Sequence, residues 1–238
     1  MRSGQGDLEP NAKDAAEAFF DAVAPHYDRA YALEGAEHRV RMSALLAALG
    51  APAPGPRSAA LVLGVGTGRE LPALLDAGFR TTGLDASAGM LARCASRARH
   101  GELVRGSFWA PLPFPDGAFG AAVALHGTLA HPPDEGAIVG LARELARVLV
   151  PGGVLAFELP TPAWFARFDG RDDGGPGVLV LDGGRASFVD RRTGARIEGL
   201  VVEPSAWVHA LGGAFDCRLH AISPDEARLV ATRTANAP

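Results

Sequence analysis

The chain is poor in the residues that staple a fold covalently or through metal. Its 238 residues include two cysteines, Cys94 and Cys217. They are far apart and form neither a CxxC pair nor a Cys/His cluster, so neither a disulfide framework nor a structural zinc site is expected. Lysine is nearly absent: Lys13 stands alone, and arginine supplies the rest of the 23 basic residues. With many alanines, glycines and prolines, this reads as a bias of codon composition rather than of function. A formal net charge of −4 provides no general basic surface, so nucleic acid is not an expected partner. No apolar stretch approaches the ~20 residues that span a bilayer. Residues 1–11 are polar and lack the apolar segment of a signal peptide. A cytoplasmic protein without membrane contact is therefore expected. Two nucleotide signatures are also missing, the GxGxxG dinucleotide turn and the GK[ST] phosphate loop.

What is present is enough apolar sequence for a core: 47% of residues are hydrophobic. The length suits one domain, 12–238, carrying an insertion. A helical leader is expected over 12–50. Phe19, Phe20, Val23, Tyr27 and Tyr31 recur at spacings of three and four, with Pro25 as an interruption. A second leader helix, near 37–49, carries Val40, Leu45, Leu46 and Leu49 on one side, and Gly50 ends it. A stiff Pro-rich linker, 51–56, follows.

From residue 60 strands and helices alternate. Strands are expected at 60–64, 80–84, 102–105, 118–125 and 154–159, and helices near 68–77, 87–99 and 134–149. This grammar builds a parallel sheet covered on both faces by right-handed crossovers, with ligands at the C-terminal ends of the strands. After Pro160 the grammar changes. A polar, glycine-rich loop (169–177) leads into short β-like runs at 178–181, 186–189 and 196–203. These read as a small antiparallel insertion within a lid or substrate region, 160–204. A short helix from Ser205 to about Leu211 and a hairpin, 215–222 with 228–234, close the chain as a unit from 205 to 238.

The stretch that organises this pattern is Leu61-Val62-Leu63-Gly64-Val65-Gly66-Thr67-Gly68-Arg69-Glu70. An apolar strand runs into a turn with glycine at every second position and then into a helix start. Such a turn admits a ligand close to the backbone, and the free N–H groups of the next helix face it. Asp85 ends the next strand, at the distance where nucleoside-binding sheets place a carboxylate for ribose hydroxyls. The plainer readings are a tight strand-to-helix turn for the glycines and a helix cap for Asp85.

The core over residues 60–159 resembles the class I S-adenosylmethionine-dependent methyltransferases. The likeness is to the small-molecule branch that includes quinone-biosynthesis C-methyltransferases and natural-product enzymes. The words that carry it are Leu63–Arg69, Gly83-Leu84-Asp85-Ala86-Ser87-Ala88-Gly89-Met90-Leu91, Leu112-Pro113-Phe114-Pro115-Asp116-Gly117-Ala118-Phe119 and Arg147-Val148-Leu149-Val150-Pro151-Gly152-Gly153, in order and at the family spacing. Phe20–Asp28 resembles the leader helix of that branch. The resemblance implies a Rossmann-like, doubly wound α/β sheet of seven strands, mostly parallel, ending in an antiparallel hairpin. N-terminal helices precede it, and a small antiparallel insertion follows the fifth strand.

It further implies S-adenosyl-L-methionine as cofactor, S-adenosyl-L-homocysteine as product, and methyl transfer to O, N or C of a small-molecule acceptor by a monomer or homodimer. The implied cofactor-binding residues are Tyr27, Gly64, Val65, Gly66, Gly68, Asp85, Ala86, Met90, Ser107, Phe108 and His126, with no metal. His126, after the fourth strand, and His131 are the candidate catalytic bases, histidine titrating near neutrality. For His131 a structural loop hydrogen bond is the competing role, and for His126 a pocket wall. His26 and His209 are weaker options expected on solvated faces, and Glu158, ending the fifth strand, is a further group that could face the acceptor. Trp164, Phe165 and Phe168 are expected to roof the acceptor pocket, and Trp207 and Phe215 to belong to the core.

Three positions depart from the family pattern: Val62, Ser107 and Gly120 stand where acids are usual. Each lost charge-assisted hydrogen bond is typically worth ~1.5–3 kcal/mol. Weaker cofactor binding follows, with a non-catalytic binding or regulatory protein on the same scaffold as the alternative. A nicotinamide oxidoreductase is the third reading, disfavoured by the missing GxGxxG.

Overall fold

The computed structural model describes residues 12–31, 35–98, 101–172 and 174–235. The polar tail, 1–11, lies outside the described residues. Ten strands and eight α-helices are found among those residues. Five strands of the main sheet are β1 (Ala59–Leu63), β2 (Arg80–Asp85), β3 (Glu102–Arg105), β4 (Phe119–Ala124) and β5 (Leu149–Pro160). The closing hairpin, β9 (Phe215–Ser223) and β10 (Glu226–Arg233), adds two more. Their order is β3-β2-β1-β4-β5-β10-β9, with β10 antiparallel to both of its neighbours. This is the seven-stranded sheet that the family resemblance implied. Winding reverses between β1 and β4, which places the ligand crevice at their C-terminal ends.

The strands are apolar on both sides because both faces are covered. Ala60, Val62, Ala121, Val123 and Ala156 pack with Met42 and Leu45 of helix α3 (Gly35–Leu49) and with Leu71 and Leu74 of α4 (Leu71–Asp76). Leu61, Leu63, Ala122, Ala124, Leu155 and Phe157 face α6 (Glu135–Val148) and α8 (Pro204–Leu211). Trp207 and Phe215 are buried on this second face, as expected. Asp134 caps α6, its Oδ1 accepting the Ala137 N–H at 2.8 Å.

The leader comprises α1 (Ala12–Val23), a 3-10 turn at Pro25, and the one-turn α2 (Tyr27–Ala30). Pro25 thus breaks the helix as its missing N–H requires. Phe19 and Val23 bury against Met90 of α5 (Ala88–Ala98) and Ile197. The insertion is a separate antiparallel sheet of β6 (Gly177–Asp182), β7 (Arg185–Asp190) and β8 (Arg196–Leu200).

Several expectations need adjusting. The helix after the glycine turn begins at Leu71, because positive φ at Gly64, Gly66 and Gly68 keeps the turn going. Strand β5 begins at Leu149, which pairs with Phe119. The pairing then shifts register as Pro151-Gly152-Gly153 bulges out, with Gly152 at φ +76. Val40 is 69% exposed, and Met42 takes the inward position in α3. The segment Pro162–Phe168, read only as an aromatic roof, is helix α7. Its Pro162 opens the first turn, and Phe165 turns into a cluster with Leu179 and Ala186 rather than into the pocket.

Candidate active site

The glycine turn and the end of β2 are joined directly. Asp85 is 8% exposed. Its Oδ2 accepts the Gly66 N–H at 2.8 Å and its Oδ1 the Ser87 N–H at 2.9 Å. Burial raises its pKa, while these bonds act in the other direction. An ionised carboxylate has about four lone-pair sites, so backbone N–H groups do not use up its capacity to accept a hydroxyl. Two of the turn's three glycines have no room for a side chain. A Cβ on Gly64 would lie 2.5 Å from Thr128 Cγ2 and one on Gly68 2.6 Å from Cys94 Sγ, both at positive φ. At Gly66 no atom comes within 3.8 Å of the Cβ position, leaving the backbone open to an approaching group.

The leader is docked on this turn by polar contacts. Asp28 accepts a 2.6 Å bond from Thr67 Oγ1 and a 3.0 Å bond from Arg97 Nη2. Arg69 donates to the Tyr31 carbonyl at 2.9 Å, and its guanidinium lies 5.1 Å from the centre of the Tyr27 ring. Tyr27 in turn stacks on Tyr31 at 5.0 Å. Asp21 reaches across to the start of α5 and accepts from Ser87 Oγ at 2.5 Å and Gly89 N at 2.9 Å. Burial pushes its pKa up, but these bonds outweigh it and leave the carboxyl below its usual range.

Beside the turn opens a cavity of about 720 Å³. Tyr27, Tyr31, Trp164, Phe168 and Phe188 supply much of its aromatic wall, and Arg69, His126 and His131 reach it among the polar residues. The leader, the loop after β4, α7 and the insertion all contribute. Tyr31 Oη donates to Asp190 Oδ2 at 2.8 Å, tying the leader to β7. Gly199 of β8 presses on the β4 loop so closely that a Cβ there would lie 2.4 Å from His131 Cα. The Leu200 N–H binds the Pro132 carbonyl at 2.8 Å.

The expected site residues occupy several distinct surroundings. Tyr27, His126 and His131 line the cavity. Gly64, Gly66, Gly68, Asp85 and Ala86 form the turn and the end of β2 and are not among the residues lining the cavity, and Phe108 closes over Gly64, with Cε1 3.3 Å from the Cβ position. The Val65 side chain packs against Gly83 in the core, and its backbone is engaged too, its N–H donating to the Leu84 carbonyl at 3.0 Å and its carbonyl accepting the Gly68 N–H at 2.8 Å. Met90 is buried beneath the leader. Ser107 Oγ accepts the Trp109 N–H at 3.2 Å and so shapes the turn after β3. Trp164 and Phe168 line the cavity as expected, whereas Phe165 does not.

Glu158 is 1% exposed and held by Arg41 at 2.6 Å and Arg228 at 2.7 Å, an ion-paired floor rather than a group free to meet an acceptor. His26 is not on a solvated face. Its side chain is 8% exposed and lies 3.6 Å from Asp190. His209 is exposed.

Sequence reasoning did not single out Glu70 or His38. Glu70 is 7% exposed, and its Oε1 lies 3.3 Å from His126 Nε2. His38 stacks on His126 at 5.8 Å. Burial pushes Glu70 up to about 7 and His126 down to about 4. His131 is likewise pushed down to about 4 by burial alone. Glu70 sits two residues past the last glycine of the turn, a position visible in sequence; its contact with His126 depends on tertiary structure.

Comparison with known proteins places this geometry. Residues 60–153 match a family model described as a methyltransferase domain. Among curated proteins no sequence matches. Among solved structures, an S-adenosylmethionine-dependent methyltransferase from Clostridium acetobutylicum aligns with a TM-score of 0.68 at 12% identity, over 91% of this chain and 99% of that one. The CcbJ methyltransferase of Streptomyces caelestis aligns with 0.67 at 20% identity, over 93% and 100%. S-adenosylmethionine-bound CalS10, an amino pentose methyltransferase from Micromonospora echinaspora, gives 0.61 at 20% identity, over 89% and 97%. The fold is the class I methyltransferase fold over nearly the whole chain.

Proposed function

We infer that the chain is an S-adenosylmethionine-dependent methyltransferase acting on a small-molecule acceptor. The observation that carries this reading is the joined pair of glycine turn and Asp85 at the winding reversal, covered by an aromatic leader. The residues fit the cofactor. Asp85 keeps capacity to accept a ribose hydroxyl. Gly66 leaves backbone open for the methionine part to approach, while Gly64 and Gly68 make room for Thr128 and Cys94 around the turn. Ala86, Met90, Ser107 and Phe108 are the adenine side of the site, and Tyr27 covers it. Arg69 keeps Nη2 buried without a hydrogen-bond partner, a donor suited to a carboxylate. The cofactor supplies, when bound, a methyl group activated by its sulfonium.

The protein's own work is alignment, exclusion of water and handling of a proton. Alignment alone supplies much of the rate in such reactions. The cavity has room for a small molecule, and CalS10 is named as a methyltransferase of an amino pentose. Its aromatic wall suits an acceptor with an apolar face. His126 and His131 are the candidate bases. His126 has the better place, at the end of β4 beside Glu70, while His131 is clamped beneath Gly199 and suits a structural role.

The departures at Val62 and Gly120 do not favour a non-catalytic scaffold, because each has a packing cause. Val62 is buried against α3 and α4, and a Cβ on Gly120 would fall 2.4 Å from the Arg57 backbone. A thermal-shift titration tests the reading at its simplest. S-adenosylhomocysteine at 100 times its Kd stabilises a specific binder by about 2.7 kcal/mol. A melting curve unmoved by both S-adenosylhomocysteine and S-adenosylmethionine would contradict it.

A further inference from the structure

His126 carries two separate costs. It is the one non-glycine residue with positive φ among the described residues, at 54°. Both of its ring nitrogens are covered and lack a hydrogen bond of good geometry. Left-handed backbone costs roughly 1–2 kcal/mol for a residue with a Cβ, and an unsatisfied buried polar atom about 1–3 kcal/mol. The nearest polar atom is the Glu70 carboxylate, 3.3 Å from Nε2. His38 covers one ring face, and the same ring lines the cavity next to Gly127. Strain and unmet hydrogen bonding converge where an acceptor would sit, a pattern typical of functional positions.

We propose that Glu70 is a positioning residue for His126: its carboxylate takes the Nε2–H, fixes that tautomer, and leaves Nδ1, covered but unpartnered in this structure, without a proton as the base for an acceptor that must lose one. The inference rests on the methyltransferase reading. It assigns the acceptor to groups that must lose a proton to react, such as a hydroxyl or an acidic carbon. For a hydroxyl, the O–H bond breaks and its proton passes to Nδ1. The oxygen's electron pair forms the new O–C bond as the methyl–sulfur bond breaks, with sulfur keeping that bond's electrons. The positive charge thereby moves from the sulfonium to an imidazolium paired with Glu70.

The surroundings agree. His126 is faced by Glu158, Arg41, Arg69 and His38, and Glu70 by Arg69, Arg97 and Glu158. Burial, the largest influence on both groups, keeps the imidazole neutral near pH 7 and brings the carboxyl to about 7. The ionised carboxylate that accepts from Nε2 therefore fills in as pH rises through that value.

Long-range 1H–15N spectra of the histidine-labelled full chain test this without an acceptor. The His126 signals among the seven histidines are assigned by their loss in His126→Asn. In the wild type the expected result is the Nε2–H tautomer, no imidazolium at pH 6, and ring shifts following a midpoint near 7. Glu70→Gln should lose that midpoint and move the population toward Nδ1–H, since its carboxamide can donate to Nε2. An Nδ1–H tautomer in the wild type, or an unchanged tautomer and titration in Glu70→Gln, overturns the proposal. The wild-type spectrum decides even if the variant misfolds. Titrating the same wild-type sample with S-adenosylmethionine separates the two readings. Binding with the wrong tautomer overturns only the role of Glu70, whereas absence of binding overturns the methyltransferase reading itself.

Discussion

At the scale of single residues, neighbours decide what a side chain can mean. Gly120 stands where the related motif often has an acid, and read alone that looks like a lost function. In the fold, the Arg57 backbone occupies the space a side chain would need. Gly120→Asp should therefore destabilise the protein by about 1–3 kcal/mol through overpacking, seen as a lower urea midpoint, and should add no cofactor affinity. A variant as stable as the wild type would show that the contact yields freely.

The buried histidines give a second prediction. His126 and His131 have folded pKa values near 4, below the ordinary 6.5. Between those values the unfolded chain binds more protons, so their contribution is present above pH 6.5 and lost as pH falls toward 4. Glu70, raised to about 7, has the opposite slope between its ordinary value and 7. Replacing His131 with Asn should remove one proton from the acid-side dependence, about 1.4 kcal/mol per pH unit where that proton is fully linked. The measurement is the unfolding free energy from pH 7 to pH 4.5. An equally steep fall in the variant would mean that His131 titrates normally.

At the scale of elements, much was legible because local and global signals agreed. The alternation of strands and helices announced α6, and Gly50 ended α3 where expected. The errors have physical causes. Helix α7 is short, and its aromatic residues divide between the cavity and a satellite core, so no single apolar stripe marks it. The register shift in β5 arises from a bulge whose strand partners, Phe119 and Ala121, are distant in sequence, paired with Leu149 and Val154. The leader's docking was only half visible. Its aromatics could be read, but the bonds of Asp28 to Thr67 and Arg97 could not. Because Asp28 is partly exposed, with a side chain 36% accessible, its ion pair is worth only about 0–1 kcal/mol. Asp28→Ala should leave the melting temperature within about 3 °C. It should weaken S-adenosylhomocysteine about five- to tenfold, the equivalent of about 1–1.4 kcal/mol, because the leader is less firmly held on the glycine turn. Unchanged affinity would assign Asp28 to stability alone.

At the scale of the molecule, the proposed reading assigns the cofactor side to the sheet and the acceptor side to three additions. The glycine turn, Asp85 and the β4 loop sit on strands whose order creates the crevice. The leader, α7 and the three-stranded insertion wall the cavity and are tied together by Tyr31–Asp190 and by Gly199 against the β4 loop. The cofactor half was readable because its chemistry is concentrated in contiguous words. The acceptor half was less so, since its residues come from segments more than 150 positions apart, as with Tyr31 and Asp190, whose separation is 159. Among the described residues no helix is long and apolar enough to cross a membrane.

The central claim, that the Gly64–Gly68 turn and Asp85 together hold S-adenosylmethionine, is tested most directly by calorimetry on the wild type and on Asp85→Ala. The account predicts one site per chain for S-adenosylmethionine and S-adenosylhomocysteine in the wild type. In the variant both ligands should weaken at least 100-fold, since two charge-assisted hydrogen bonds of ~1.5–3 kcal/mol each are lost. No heat with the wild-type protein, or equal affinity in a folded Asp85→Ala, would contradict it.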